Sequence, residues 1–196
     1  MAKRIFDIFG ALCGLIFILP FTPFIALAII FGDGWPPLVY LDRVSRGKVF
    51  RMVKFRTMVR GAHGMKSRYA HLNERTDGPF FKITDDPRLT RVGKFLRMLR
   101  VDEFPQFWNV LTGDISLVGP RPYPPEEIAA YPPEFKHLAS AKAGLTGLAQ
   151  VMGASTLSFE KTVEYDRYYL EHQTFWFDLR ILAKTILIFF TDPTGV

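Results

Sequence analysis

The chain has 196 residues and a net charge of +6; 48% of it is hydrophobic, 19 residues are Phe, and it holds a single cysteine. This balance argues against a disulfide-held secreted domain and against a nucleic-acid binder, because such binders are basic but seldom this apolar. Basic and apolar together point to an anionic membrane surface, and the length suits one compact domain with an appendage.

Residues 8–31, "IFGALCGLIFILPFTPFIALAIIF", carry no charge and are long enough to cross a bilayer. Three readings compete: a cleaved leader, a simple span, and a re-entrant helix. The run is long for a leader, and Asp7 interrupts its approach. Pro20 and Pro23 near its middle each remove a backbone donor and kink a helix, and Thr22 between them can bond a freed carbonyl. Lys3 and Arg4 precede the run while Arg43, Arg46 and Lys48 follow it. Positive charge at both ends suits a segment that enters and leaves on one side, although prolines also occur in true spans.

Residues 38–41 and 49–55 read as strands joined by the turn "SRGK" into a hairpin. Residues 60–78 are polar and mixed in charge, a helix or a mobile loop. "TDDPRLTRVGKFLRMLR" predicts a helix over 84–100, capped by Asp85 or Asp86 with Pro87 in its first turn. Its apolar stripe is Leu89, Val92, Phe95, Leu96 and Leu99. Arg88, Arg91, Lys94, Arg97 and Arg100 recur around the remaining surface, as a solvated face or as a basic face lying on lipid headgroups.

Residues 102–112 predict the next helix, with Asp102 as N-cap, Glu103 in the first turn, Pro105 early enough to be tolerated and Gly113 as the stop. Asp102 and Glu103 admit two readings. They are an ordinary capping pair, or one is a nucleophile, since a carboxylate attacking phosphorus makes an acyl phosphate. A metal beside it would offset charge on a diphosphate substrate. "GPRPYPPEE" is a proline-stiffened loop whose Arg121 can grip phosphate bidentately or form a surface ion pair. Lys54 and Arg56 in "VKFRTM" lie near a strand end. Glu164, Asp166 and Tyr168 sit within a helix over 159–172, where solvation is the simpler reading. A last helix over 175–190 is apolar but holds Asp178, Arg180 and Lys184, which suits the membrane interface better than a span. The four histidines, His63, His71, His137 and His172, lack zinc-ligand spacing, and no phosphate-binding glycine loop or nucleophile elbow is present. A membrane scaffold, a nucleic-acid binder and a diphospholipid hydrolase remain as rivals.

"KRIFDIFGAL", the proline-broken helix, "VKFRTM", "LTRVGKFLR", "VDEFPQFWNVLTGDISLVGPRP", "GLTGLAQV" and "YDRYYLEH" occur in the order of the bacterial sugar transferases, and over nearly the whole chain the sequence resembles the minimal monotopic phosphoglycosyl transferases. The resemblance implies a mainly α protein with a small β-hairpin (α+β): a re-entrant membrane helix at 1–34 and a cytosolic catalytic domain with interfacial helices at 35–196. It implies transfer of a phosphosugar from a UDP-sugar to undecaprenyl phosphate with release of UMP, the first membrane step of bacterial glycan assembly. Asp102 is then the nucleophile of a ping-pong cycle, Glu103 its partner for proton handling or orientation, and Mg²⁺ the cofactor with Asp102 as ligand. Arg121, Lys54, Arg56, Lys142 and Asp166 become the substrate or phosphate contacts, and Pro20, Thr22 and Pro23 the membrane break. The setting is the cytoplasmic face of the bacterial inner membrane, with both termini cytoplasmic, lipid as a partner and a homodimer open through the C-terminal helix. Ala143, Leu148, Met152 and Ala154 depart from the usual "PGITGWAQVNGR", which bears on donor specificity and leaves the acidic pair untouched.

Overall fold

The computed structural model describes residues 2–191. The apolar run forms two helices, α1 (Ala2–Ile18) and α2 (Thr22–Asp33), bent by 60° at the break. Pro20 lies in the break and Pro23 in the first turn of α2, where its missing N–H is harmless. The Thr22 hydroxyl donates to the Ile18 carbonyl at 3.1 Å, as its place between two prolines suggested. Among the described residues no single helix is long and apolar enough to cross a membrane; the bent pair reaches that length together.

The hairpin is longer than expected: β1 (Leu38–Ser45) pairs antiparallel with β2 (Lys48–Phe55). Arg46 and Gly47 both have positive φ, 54° and 68°, which matches the primed turn that joins strands without splaying them. The register sets Val39 opposite Lys54, Leu41 opposite Met52 and Arg43 opposite Phe50, so these six side chains share one face. Residues 60–78 contain only two short 3₁₀ turns, Ala62–Met65 and Ala70–Leu72.

Helix α3 (Arg91–Met98) starts seven residues later than predicted. Thr90 is its cap, accepting from the Gly93 N–H at 2.9 Å. Asp86 instead closes a tight turn on Arg88, accepting from its backbone N–H at 2.9 Å and its guanidinium at 2.6 Å. Arg88 is therefore buried and absent from any headgroup-facing surface. Gly93 is required by contact: a Cβ there would lie 1.9 Å from the Thr57 carbonyl, so α3 rests directly on the chain leaving the hairpin.

The next segment is not one capped helix. Val101–Gln106 is a 3₁₀ turn containing Pro105, followed by α4 (Phe107–Thr112), which Gly113 ends in the left-handed conformation as predicted. The N-cap position of the 3₁₀ turn falls on Arg100, at φ 54°, with no side-chain cap. Asp102 thus lies two residues past the cap position.

A second sheet was not legible in the sequence. Strands β3 (Ser116–Val118) and β4 (Gly144–Thr146) pair in parallel, separated by the proline loop, α5 (Pro125–Ala129) and a 3₁₀ segment over Pro133–Ser140. A Cβ on Gly144 would lie 2.1 Å from the Gly119 nitrogen, so only glycine allows this crossing. Helices α6 (Leu148–Met152), α7 (Phe159–Glu171) and α8 (Phe175–Thr191) complete the chain, giving the α+β class.

One face of α1 belongs to the domain core, where Ala11 packs with Val110, Ile115, Leu117, Tyr169 and Ile181. Polar bonds tie the same helix down. Lys3 pairs with buried Asp178 at 2.5 Å, and Tyr169 donates to the same carboxylate at 2.7 Å. Arg4 donates to the Val110 and Leu111 carbonyls at 2.6 Å each, covering the free end of α4. Asp7, 2% exposed, accepts from the Ser116 hydroxyl and the Leu117 N–H. The charges expected at a membrane flank therefore anchor α1 to β3, α4 and α8. The outer faces of α1, α2 and α8 expose Ile5, Phe9, Phe17, Phe24, Trp176 and Phe190.

Candidate active site

The 3₁₀ turn carrying Asp102 and Glu103 packs against β2, and this juxtaposition builds the site. Lys54, near the end of β2, donates to Glu103 at 2.5 Å and stands 3.9 Å from Asp102. Arg121, from the loop after β3, stands 3.9 Å from Glu103 on the other side. Two cations from different elements thus converge on two adjacent acids. Asp102 is 5% exposed, whereas the Glu103 side chain is partly open and Arg121 is exposed.

The two acids have opposite electrostatics. Burial pushes the Asp102 carboxyl up, and the adjacent Glu103 charge adds to this, while Lys54 and Arg97 oppose it. Burial would also raise Glu103, but Lys54 and then Arg121 outweigh it and hold that carboxyl at about 2. Glu103 is therefore a fixed anion near neutral pH. That makes it a poor proton donor and a good positioning partner for Lys54 and Arg121. Asp102 is the less solvated and more basic oxygen pair, the better nucleophile of the two once ionised.

The other sequence-derived candidates lie elsewhere or serve other partners. Arg56 turns from the acids to the end of α2, donating to Pro36 O at 2.7 Å and to the Asp33 and Gly34 carbonyls. A helix end leaves carbonyls unpaired, and a guanidinium is well shaped to collect them. Lys142 is paired with Asp7 at 3.6 Å, on the anchor of α1. Glu164 is exposed beside Lys161, as the solvated reading held. Asp166 corrects that reading: it is 4% exposed and lines a cavity of about 20 Å³ with Arg121, Tyr123 and Tyr131. Burial alone pushes its carboxyl up to about 7. The signal was present, since Asp166 falls on the same helix stripe as Phe159, Val163 and Tyr169; what covers it comes from the proline loop and the Pro133–Ser140 segment.

Two cations were missed as site residues. Arg97, placed by periodicity on a headgroup face, donates to the Thr57 hydroxyl at 3.1 Å, and its charge acts on Asp102. Arg43, read only as flanking charge, shares the hairpin face of Lys54. The signal for Arg43 was present, since strand alternation from the Arg46–Gly47 turn puts positions 43 and 54 on one side.

Among the described residues no group of three or more His, Cys, Asp or Glu side chains can hold a metal by itself. Mg²⁺ does not need one, as it is commonly bound by one or two carboxylates plus substrate phosphates. Asp102 beside the partly open Glu103 fits that donor set.

The model of the bacterial sugar transferase family matches residues 1–192. The chain is 40% identical over 190 residues to the galactosyl transferase CpsE of Streptococcus agalactiae, covering 96% of this chain and 42% of that protein. It is 37% identical over 187 residues to the undecaprenyl-phosphate galactose phosphotransferase of Salmonella typhimurium, covering 93% and 39%. It is 33% identical over 190 residues to the exopolysaccharide production protein ExoY of Rhizobium meliloti, covering 95% and 84%. The chain spans about two-fifths of the first two relatives and most of the third. A family match over residues 1–192 means that this chain belongs to the bacterial sugar transferase family.

Proposed function

We propose that the protein transfers a sugar phosphate from a UDP-sugar to undecaprenyl phosphate at a membrane surface, through a covalent intermediate on Asp102. The observation that carries this reading is a buried carboxylate, Asp102, set beside Lys54, Glu103 and Arg121 in a member of this family. In the first step an Asp102 oxygen attacks the sugar-bearing phosphorus of the donor. The new O–P bond forms as the bond to the nucleotide phosphate breaks, and UMP leaves with the electron pair. In the second step a phosphate oxygen of the acceptor attacks the same phosphorus. The bond to Asp102 breaks, which restores the carboxylate and releases the polyprenyl diphosphosugar.

Lys54 and Arg121 counter the charge that builds on the phosphoryl oxygens, and Glu103 holds both cations in place. Mg²⁺ held by Asp102 and the donor phosphates would offset diphosphate charge and ease departure of UMP. Burial of Asp102 limits access of water, which would otherwise hydrolyse the intermediate.

The bent helix pair supports a re-entrant anchor on the cytoplasmic face. The inner side of α1 is bonded to the domain, and the outward apolar residues of α1, α2 and α8 face lipid. With Cys13→Ser as background, single cysteines at Ala2 and Asp42 are then labelled from the same side of sealed vesicles; labelling from opposite sides overturns re-entry.

The reaction is tested by UMP release from purified protein with Mg²⁺, undecaprenyl phosphate and a panel of UDP-sugars. UDP-galactose comes first, because two of the relatives carry galactose in their names. Acceptor-stimulated release that Asp102→Asn lowers by about 10³-fold or more supports the reading. Equal release from the variant removes Asp102 from the mechanism.

A further inference from the structure

Arg43 has no role in the reaction as described, yet its surroundings are unusual. It sits on β1, on the same hairpin face as Lys54. The backbone N–H of the next residue, Val44, donates to the Tyr123 carbonyl at 3.0 Å. This bond brings position 43 beside the loop that holds Arg121. The two guanidiniums act on each other: burial first, and the Arg121 charge second, work against the Arg43 cation.

The nearby carboxylates do not resolve this repulsion. Glu126, Glu127 and Glu103 are the acids whose charges reach Arg43. Lys66 already engages Glu126 at 3.4 Å and Glu127 at 3.1 Å, and Lys54 engages Glu103 at 2.5 Å. Among the described residues no carboxylate lies within 4 Å of Arg43, whose guanidinium donates only to the neighbouring Asp42 carbonyl at 2.8 Å. Arg43 and Arg121 both feel the charges of Glu103 and Glu127, yet among the described residues the nearest of these carboxylates is Glu103 at 3.9 Å from Arg121, which leaves the pair short of negative charge. An oxyanion with several acceptor oxygens supplies it, because a guanidinium pairs bidentately with phosphate.

We propose that Arg43 and Arg121 form a seat for a phosphate monoester next to the acidic pair, occupied in turn by the departing nucleotide phosphate and by the attacking lipid phosphate. The proposal rests on the transfer reaction above and deepens it. In a two-step displacement through one carboxylate, the leaving group of the first step and the nucleophile of the second occupy the same side of the phosphorus, opposite Asp102. These two groups share only a phosphate. A seat that reads phosphate and nothing else is what lets a soluble nucleotide and a membrane lipid use one position. Arg121, nearer Glu103, bridges this seat and the transferred phosphoryl group, and Arg43 lies on its outer side.

The test is binding of UMP, and of inorganic phosphate as a probe without nucleoside, to the full chain in lipid nanodiscs by calorimetry. Arg43→Gln is expected to weaken both by about tenfold, the scale of one lost charge-assisted contact. Arg51→Gln removes the same charge from the opposite hairpin face and is expected to leave both unchanged. Should Arg43→Gln fold poorly by thermal unfolding, Arg43→Lys keeps the charge without the fork and is expected to weaken UMP by about threefold. Wild-type affinity in a folded Arg43 variant overturns the seat. So does an equal loss in the Arg51 and Arg43 variants, which would reflect bulk charge alone, and so does a wild-type chain that binds neither probe. The transfer reading is judged separately by acceptor-stimulated UMP release. Transfer without dependence on Arg43 sinks the seat and spares the reaction; Arg43-dependent UMP binding without transfer does the reverse.

Discussion

Glu103 and Asp166 are two carboxyl groups near Arg121, and their environments drive them in opposite directions. Glu103 has an ammonium at 2.5 Å and a guanidinium at 3.9 Å, and is held at about 2. Asp166 sits behind Tyr123 and Tyr131 with burial as its only perturbation, and is pushed up to about 7. Both regions border Arg121, which stands 3.9 Å from Glu103 and lines the small cavity of Asp166. Burial raises both carboxyls; at Glu103 the Lys54 and Arg121 charges outweigh it, whereas Asp166, and Asp102 with Lys54 only at 3.9 Å, stay raised.

The strongest way to break this contrast is Lys54→Met, which gives Glu103 an environment closer to that of Asp166. Turnover is expected to fall by about 10²-fold, the scale of removing one positioned electrostatic contact. Because Glu103 must stay ionised to hold Arg121, its pKa rises and the acid limb of the rate profile moves to higher pH. An unshifted limb with full turnover would show that Lys54 does not set Glu103. The check is kcat/KM for UMP release measured across pH.

Asp166→Asn sharpens the other half. A raised folded pKa means that the native state keeps a proton which the unfolded chain releases near 3.8. Stability is then fully present below pH 4 and is lost as pH rises from about 4 to about 7. The neutral Asn carries no such loss. Thermal unfolding is expected to show the variant close to wild type at pH 4 and about 5 °C or more above it at pH 8. A gap that does not grow with pH would mean that Asp166 is ionised at no cost.

Tyr131→Phe carries the smallest effect. Its phenol has no described hydrogen bond, and burial alone accounts for the state of Asp166. The Tm is expected to stay within about 2 °C of wild type, with the pH dependence retained. Loss of that dependence would make the phenol a partner of the acid.

Much of the architecture could be read from local signals. Two prolines three residues apart marked the helix break, and the turn-rich "SRGK" between two strand-like runs marked the hairpin. Gly113 marked the end of α4. The Asp102–Glu103 pair and Arg121 were legible as candidates because acids and a stiffened arginine stand out beside apolar sequence. Helix periodicity misled for Arg88 and Arg97, which turn inward to Asp86 and Thr57. For Asp166 the spacing was right, since it falls on the buried stripe of Phe159, Val163 and Tyr169; its carboxyl chemistry made it read as solvated. Capping preference misled for Asp102, because the 3₁₀ turn shifts the cap position to Arg100.

The sequence by itself determined the hairpin, the break in the first helix, the acids that could do chemistry and the family resemblance, since each depends on residues a few positions apart. Only the tertiary structure decided what those acids are. Lys54 reaches Glu103 across 49 positions of chain, and Asp7 reaches Leu117 across 110. Charge state follows from burial and from cations within a few ångströms, and both are set by which distant segments the folded core brings together.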